Sequence, residues 1–352
     1  MKRILFCCFL VVSSAAWSQQ TSHLKLWYNT PAGSVWENAL PIGNGRLGAM
    51  VYGNVTRETI QLNEHTVWSG SPNRNDNPEA LAALPQLRQL INEGRQKEAE
   101  QLANKVIISK KSHGQMFQPV GSLHVDFDGH EQFSNYRREL DIEHAIARTT
   151  YTVNGITFTR EVLASLPDRV IAIRLSADKP NSVSFLAHMS SPQSKATIKT
   201  STNELVISGT TSDHEGVEGK VKFKSIARFK LDGGFLATTD TSLSIQGANT
   251  VTVYISIATN FNSYQDLSGD ESQRAYSYLE KPYKKSFEKI SKEHVAAYQQ
   301  LFNRVTLDLG VTDAINKPTD ERLRNFRQVN DPQFAALYFQ YGRYLLISSS
   351  QP

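Results

Sequence analysis

The run Thr150-Tyr151-Thr152-Val153, then Asn154-Gly155, then Ile156-Thr157-Phe158-Thr159 reads as two β-strands joined by a tight turn. Asn-Gly accepts the positive φ angles that a two-residue hairpin turn requires, and both flanks are β-forming residues. Working outward, Arg169 to Leu175 (RVIAIRL), Lys220 to Leu231 (KVKFKSIARFKL) and Thr250 to Ala258 (TVTVYISIA) alternate or run apolar as strands do. From about Leu24 to Thr259 period two dominates, without helical crossovers between the strands. Strands in such succession pack as antiparallel sheets, face to face. The reading is a large β-sandwich.

The chain has 352 residues, enough for two domains or for one large β domain with an appendage. Lys plus Arg is 38 against 34 Asp plus Glu, a formal charge of +4. That balance is too even for nucleic-acid binding driven by a basic surface, so no nucleic-acid partner is expected. With 39% hydrophobic and 20% charged residues the composition is that of a folded globular chain.

The amino terminus reads as a secretory signal over residues 1–18. Met1-Lys2-Arg3 is basic, Ile4 to Val12 is apolar, and Ser13 to Ser18 is small apart from Trp17. A bilayer-spanning helix needs about 20 apolar residues, so no membrane span is expected. Cleavage after Ala16 or Ser18 would send the chain to the periplasm or the extracellular space. Cys7 and Cys8 both fall inside this segment, and a lipidation motif at Cys8 would want a small residue where Cys7 stands. The mature chain is therefore expected to hold no cysteine and to rest on core burial.

Helical patterns interrupt and follow the strands. Asn77 can cap, Pro78 suits a first turn, and Leu81, Leu84, Leu87, Leu90 and Ile91 repeat at helical spacing, predicting one inserted helix near 78–105. Ser277 to Arg304 carries Tyr283, Phe287, Ile290, Val295, Tyr298 and Leu301 between charges and reads as amphipathic helices; Val305 to Leu309 reads as a short strand. Asp331-Pro332 then opens a helix. Phe334, Leu337, Tyr338, Tyr341, Leu345 and Leu346 form its apolar face, with Phe339, Tyr344 and Ile347 off that face. A helix apolar around most of its circumference needs cover on several sides. The expectation is a fragment of a longer protein whose next domain supplies that cover.

Three motifs invite chemistry. Gly43-Asn44-Gly45-Arg46-Leu47-Gly48 matches the dinucleotide pattern by letter, but that mechanism needs a strand before it and a helix after it. Pro41 precedes it and Ala49-Met50-Val51-Tyr52 follows as a strand, so a glycine-rich turn entering a strand is expected. His124 and His130 bracket Asp126 and Asp128 and would suit a metal; solvent-facing strand positions are the better reading, and no metal or other cofactor is assigned. Gln61 to Pro72 (QLNEHTVWSGSP) gathers an amide, a carboxylate, an imidazole, hydroxyls and an indole. An indole face stacks on a pyranose while amide and carboxylate groups bind its hydroxyls. Equally, Asn63 and Glu64 could satisfy backbone groups in a buried turn that Trp68 fills. Both readings stay open on these residues alone.

Pro41 to Met50, followed by Leu62-Asn63-Glu64-His65-Thr66-Val67-Trp68-Ser69-Gly70, resembles the amino-terminal part of glycoside hydrolase family 95, the α-L-fucosidases. So do Gln118 to Leu123 (QPVGSL) and Tyr136 to Asp141 (YRRELD), and Leu337 to Ser350 is similar to the first helix of that family's catalytic barrel. The resemblance implies a mainly β chain: a large antiparallel β-supersandwich (19–271), a helical linker (272–320) and the first helix of an incomplete (α/α)6 barrel (321–352). It implies an exported enzyme that removes terminal α-L-fucosyl residues from glycans with inversion. In such an enzyme a glutamic acid protonates the leaving oxygen, and asparagines assisted by an aspartate activate water. Those groups belong to the barrel beyond position 352, so no catalytic residue is assigned here; the missing catalytic domain is the partner expected in cis. The resemblance carries the loop to the substrate, with Asn63, Glu64, Thr66 and Trp68 as candidate binding residues and Thr66 near the C6 methyl of fucose. His65 falls at a variable position of the motif and receives no role. The alternatives are a non-catalytic carbohydrate-binding β-sandwich, which would not need the last helix, and a related α-L-galactosidase, against which Thr66 argues.

Overall fold

The computed structural model describes residues 23–109 and 114–350, so the signal segment with Cys7 and Cys8 lies outside the described residues. Asn154 and Gly155 take φ angles of 50° and 71°, and the strands on either side pair with Val153 opposite Ile156. The hairpin is formed as its sequence predicts.

Sixteen strands are present among the described residues. They are β1 (Lys25–Tyr28), β2 (Leu40–Gly43), β3 (Leu47–Val51), β4 (Arg57–Glu64), β5 (Gly121–Asp126), β6 (Ser134–Asp141), β7 (Ile146–Val153) and β8 (Ile156–Ala164). There follow β9 (Ile171–Ala177), β10 (Val183–Ser190), β11 (Thr197–Ser201), β12 (Glu204–Thr210), β13 (Lys222–Asp232), β14 (Phe235–Thr238), β15 (Ser242–Ala248) and β16 (Thr250–Thr259). One sheet runs β1-β6-β7-β8-β9-β16-β13-β12-β11, the other β14-β15-β10-β5-β4-β3-β2. Neighbours within each sheet are antiparallel.

The inner faces supply the main core. Leu123 and Val125 of β5, Phe185 and Ala187 of β10, Phe223 and Phe229 of β13, and Val251, Val253 and Ile255 of β16 are buried together. β16 is also covered from behind. Tyr254 and Ala258 on its outer side, with Ala172 and Ile226, pack against Ala275 and Leu279 of α3 (Glu271–Glu280) and Phe287 and Ile290 of α4 (Phe287–Phe302). A strand buried on both faces loses strict alternation, which explains the nearly continuous apolar run TVTVYISIA.

Three expectations need correction. The inserted helix is two helices, α1 (Ala80–Asn92) and α2 (Gln96–Val106), parted where Gly94 adopts a φ of +73°. The leucine stripe is mostly outside: Leu90 is buried, whereas Leu81 is 81% exposed. Val305 to Leu309 forms no strand. Among the described residues it pairs with neither sheet; instead the Val305 carbonyl accepts bonds from Arg343 Nη1 (3.0 Å) and Gln340 Nε2 (3.3 Å). Those donors lie on α6 (Pro332–Ser349), which follows the short helix α5 (Thr319–Asn325).

The third correction concerns the buried face of α6. Phe334, Leu337 and Tyr344 are buried against the sandwich core, with Tyr341 and Ile347 beside them. Tyr344 was expected off the face and is fully buried; Tyr338, Leu345 and Leu346 were expected on it and are exposed, Tyr338 at 76% and Leu346 at 66%. With aromatic or aliphatic residues on both sides, spacing alone does not say which side finds the sandwich. The entry to α6 is fixed by a buried pair: Arg322 donates to both carboxylate oxygens of Asp331, each at 2.8 Å. Asp331 also caps α6 by accepting from the Phe334 amide at 3.1 Å.

His294 of α4 is buried, with Nε2 3.2 Å from the Ala145 carbonyl. Burial pushes its pKa down to about 4, only partly offset by that carbonyl. The unfolded chain, with an ordinary histidine near 6.5, takes the proton first as pH falls. This contribution to stability is therefore present above pH ~6.5 and is lost as the pH drops toward 4, by at most about 1.4 kcal/mol per pH unit. Urea midpoints measured from pH 7 to pH 4.5 are expected to fall more steeply for the wild type than for His294→Leu; equal slopes would contradict the assignment.

Candidate functional site

The glycine-rich run is the hairpin turn between β2 and β3, with a strand after it rather than a helix. The buried Asn44 side chain organises it. Its Oδ1 accepts from the amides of Arg46 (3.2 Å) and Leu47 (2.8 Å), while its Nδ2 donates to the Ser165 carbonyl (2.9 Å). Gly45 has a φ of +80°, which a side chain would oppose, and its amide donates to the Ser348 carbonyl of α6 at 2.8 Å. Arg46 reaches across the sandwich. It donates to the Ile257 carbonyl and, at 2.7 Å, to the Arg169 carbonyl, and its guanidinium sits 4.4 Å from the Tyr278 ring centre. Burial lowers its pKa, opposed by Glu64, whose Oε1 is 3.8 Å from Nη1.

β4 delivers Asn63 and Glu64 beside this turn, and the chain then bends through His65 to Trp68. Glu64 is 3% exposed and faces inward. Its Oε2 accepts from the Thr66 amide (2.8 Å) and the Thr66 hydroxyl (2.6 Å), and its Oε1 lies 3.3 Å from His65 Nδ1. The Thr66 hydroxyl also bonds to that of Thr259, at the end of β16 on the opposite sheet. Val67 is fully buried. Trp68 is 44% exposed; its indole N–H donates to the His65 carbonyl at 2.9 Å, and its ring meets Phe117 edge-on at 5.6 Å. Asn63 Oδ1 is buried without a hydrogen-bond partner among the described residues.

Of the four candidates, then, Asn63 lines a cleft of about 260 Å³ between the hairpin and α6, together with His65, Phe117, Tyr344 and Ser348. Trp68 stands outside that cleft against Phe117. Glu64 and Thr66 are tied into the loop's interior by each other. Sequence reasoning assigned nothing to Arg46, Phe117, Thr259 or His65. Arg46 lies inside the glycine-rich motif, but its role depends on contacts remote in sequence, with Ile257 of β16 and with Arg169 just before β9.

His124 is half-buried on β5 and stacks on His188 at 4.9 Å. His130, expected to face solvent, is buried among Phe127, Tyr151 and Phe158 and bonds the Tyr151 hydroxyl at 3.0 Å. Among the described residues no group of three or more His, Cys, Asp or Glu is placed to hold a metal. No helix there is long and apolar enough to cross a membrane. A larger groove of about 760 Å³ on the seven-stranded sheet, lined by Arg57, Asp126 and Gln246 among others, shares no residue with the cleft.

The contact between hairpin and α6 is close enough to test. A Cβ added at Gly43 would lie 2.6 Å from the Ser348 carbonyl oxygen, which is backbone, whereas one added at Gly342 of α6 meets nothing within 4 Å. Gly43→Ala is expected to cost about 1–3 kcal/mol of stability, the range of an overpacked site. Gly342→Ala should be neutral or stabilising by up to ~1 kcal/mol through helix propensity. Thermal unfolding of both variants checks the pair; a neutral Gly43→Ala would mean that the contact is loose.

Residues 26–264 match the glycosyl hydrolase family 65 N-terminal domain, and residues 286–352 match the glycosyl hydrolase family 95 catalytic domain. The chain is 34% identical over 370 residues to a protein described as alpha-L-fucosidase 2 from Arabidopsis thaliana, an alignment covering 94% of this chain and 42% of that protein. It is 27% identical to an alpha-fucosidase A from Aspergillus niger, over 93% of this chain and 43% of that one. Among solved structures, a protein described as a putative kojibiose phosphorylase from the human microbiome superposes with a TM-score of 0.52 at 10% identity, over 94% of this chain and 42% of that one; the likeness is of fold alone. The chain thus spans less than half the length of these proteins. The chain therefore belongs with the proteins built on the glycosyl hydrolase family 65 N-terminal domain, carried by residues 26–264, and its residues 286–352 are similar to the family 95 catalytic domain.

Proposed function

We propose that this chain is the amino-terminal part of an exported inverting α-L-fucosidase acting on terminal α-L-fucosyl residues of glycans. The observation that carries the reading is the joined match, a family 65-type N-terminal domain running into the family 95 catalytic domain, in a chain 34% identical to an α-L-fucosidase over 94% of its length. In this reading residues 1–18 direct export, 19–271 form the sandwich, 272–320 the linker and 321–352 the start of the barrel. The exposed Tyr338, Leu345 and Leu346 of α6 are then the surface on which the rest of the catalytic domain packs.

The loop 63–68 serves the active site from outside the barrel. Asn63, with its unpartnered Oδ1, and Trp68, half-exposed beside Phe117, are the residues placed to meet a sugar, the amide through hydroxyl groups and the indole through a ring face. Thr66 favours fucose over L-galactose, which differs from it by one hydroxyl on C6. Glu64 supports the loop from within. The acid and the water-activating groups belong to the barrel, so residues 19–352 alone are expected to be inert.

The test is hydrolysis of an aryl α-L-fucoside by residues 19–352 and by the polypeptide continued through its catalytic domain. Turnover only by the longer protein, with β-L-fucose appearing first in the proton NMR spectrum, is the expected result. Turnover by residues 19–352, or first release of the α-anomer, would overturn the reading.

A further inference from the structure

Residues 303–311 are exposed without a break, and within them Val305, Leu307 and Leu309 alternate with Thr306 and Asp308. The three apolar side chains are 44%, 36% and 48% exposed. Alternation of this kind puts one apolar row on one face of a strand. The backbone is equally unmatched. Among the described residues, no hydrogen bond within the protein reaches the N–H or C=O of Thr306, Leu307, Asp308 or Leu309. Only the ends are held. The Val305 carbonyl takes Gln340 and Arg343 of α6, and the Thr312 hydroxyl donates to the Asn330 carbonyl at 2.9 Å. Gly310, at a φ of +86°, turns the chain after the row. In a β-strand the N–H and C=O of one residue point to the same edge, and those of the next residue to the opposite edge. With the Val305 carbonyl turned to α6, Leu307 and Leu309 share that edge. Thr306 and Asp308 then present the open one.

We propose that residues 305–309 are a strand position kept for the continuation of this polypeptide: a β-strand from beyond Pro352 pairs with the edge of Thr306 and Asp308, and the sheet it belongs to covers Val305, Leu307 and Leu309. This rests on the reading that the polypeptide continues through a catalytic domain. The segment lies inside the stretch, residues 286–352, that matches the family 95 catalytic domain, and the alignment with the Arabidopsis relative covers 42% of that protein. A second copy of this chain fits less well. A strand this short spans about 17 Å, and its pairing buries far less than the ~1,200 Å² of a stable interface between separate molecules. A covalently linked strand has no such threshold to meet, because its pairing is intramolecular. Nor does one lone strand suffice, since a two-stranded ribbon is marginal in water. The incoming strand is therefore the edge of a sheet, which residues 305–309 extend by main-chain hydrogen bonds.

The experiment is hydrogen exchange of the polypeptide continued through its catalytic domain, resolved to single amides by fragmentation in the mass spectrometer. The amides of Thr306 and Asp308 are expected to exchange at least ~100-fold more slowly than in an unstructured peptide, and to keep that protection on dilution. Exchange of both at the unstructured rate would overturn the proposal. Protection that fades on dilution would do so too, because it marks a second copy as the partner. Thr306→Cys, labelled with a benzophenone maleimide, identifies the neighbour: cross-links are expected to peptides from beyond Pro352, and cross-links confined to residues 23–350 would contradict the assignment. The activity is tested separately. Fucoside turnover with Thr306 and Asp308 unprotected removes the pairing and leaves the proposed function, whereas protection without turnover does the reverse.

Discussion

The bond from the Gly45 amide to the Ser348 carbonyl joins the sandwich to the last helix, and the arrangement at this end of the molecule depends on it. It can form because residue 45 adopts a left-handed conformation and because residue 43 has no side chain to hold α6 away. Around it the contacts reinforce one another. The Tyr344 hydroxyl donates to the Pro41 carbonyl at 2.7 Å, and its ring joins Tyr298 and Phe302 of α4 in the core. Arg46, leaving the same turn, ties it to the Ile257 carbonyl of the other sheet and to the Arg169 carbonyl in the connection before β9. One hairpin turn thus touches both sheets and α6.

That junction also explains how the loop can be firm while facing a cleft. Loops that serve active sites have few backbone partners of their own and must be held by neighbouring elements. Here the His65 amide donates to the Arg46 carbonyl at 3.0 Å and the Thr66 amide to Glu64, so the loop inherits the rigidity of the hairpin beside it. Buried polar groups in such a network are costly if left unpaired, and nearly all of these are paired. Asn63 Oδ1, Arg46 Nε and Ser348 Oγ are the buried exceptions here among the described residues, and all three residues line the cleft.

Much of this was legible in the sequence where the signal is local. Asn154-Gly155 sets its own turn, and the glycine-rich run is betrayed as a hairpin by the strand that follows it. What was not legible is decided by distant partners. Glu64 and Thr66 have the chemistry of sugar ligands and also that of a capped turn; the partners they meet in the fold, Thr259 and Arg46, are both remote from them in sequence. On α6, both faces carry large apolar residues, so contacts remote in sequence, from the Gly45 amide to Ser348, Tyr344 to Pro41 and Arg322 to Asp331, accompany the choice of Tyr344 as inside and Leu346 as outside. Val305 to Leu309 has strand-like alternation but joins neither sheet, and α6 side chains take the Val305 carbonyl instead.

The central claim is that the turn 43–48 and the loop 64–66 belong to the cooperative core rather than to a mobile surface. Native-state hydrogen exchange of single amides tests it most directly, because exchange reports the free energy of the opening that exposes each N–H. The account predicts that the amides of Gly45, Leu47 and Thr66 exchange only with the slow core amides of β3 and β4, and that Gly43→Ala speeds the first of these most. Exchange of the three amides at the rate of an exposed loop amide without a hydrogen bond, with the strands still protected, would contradict it.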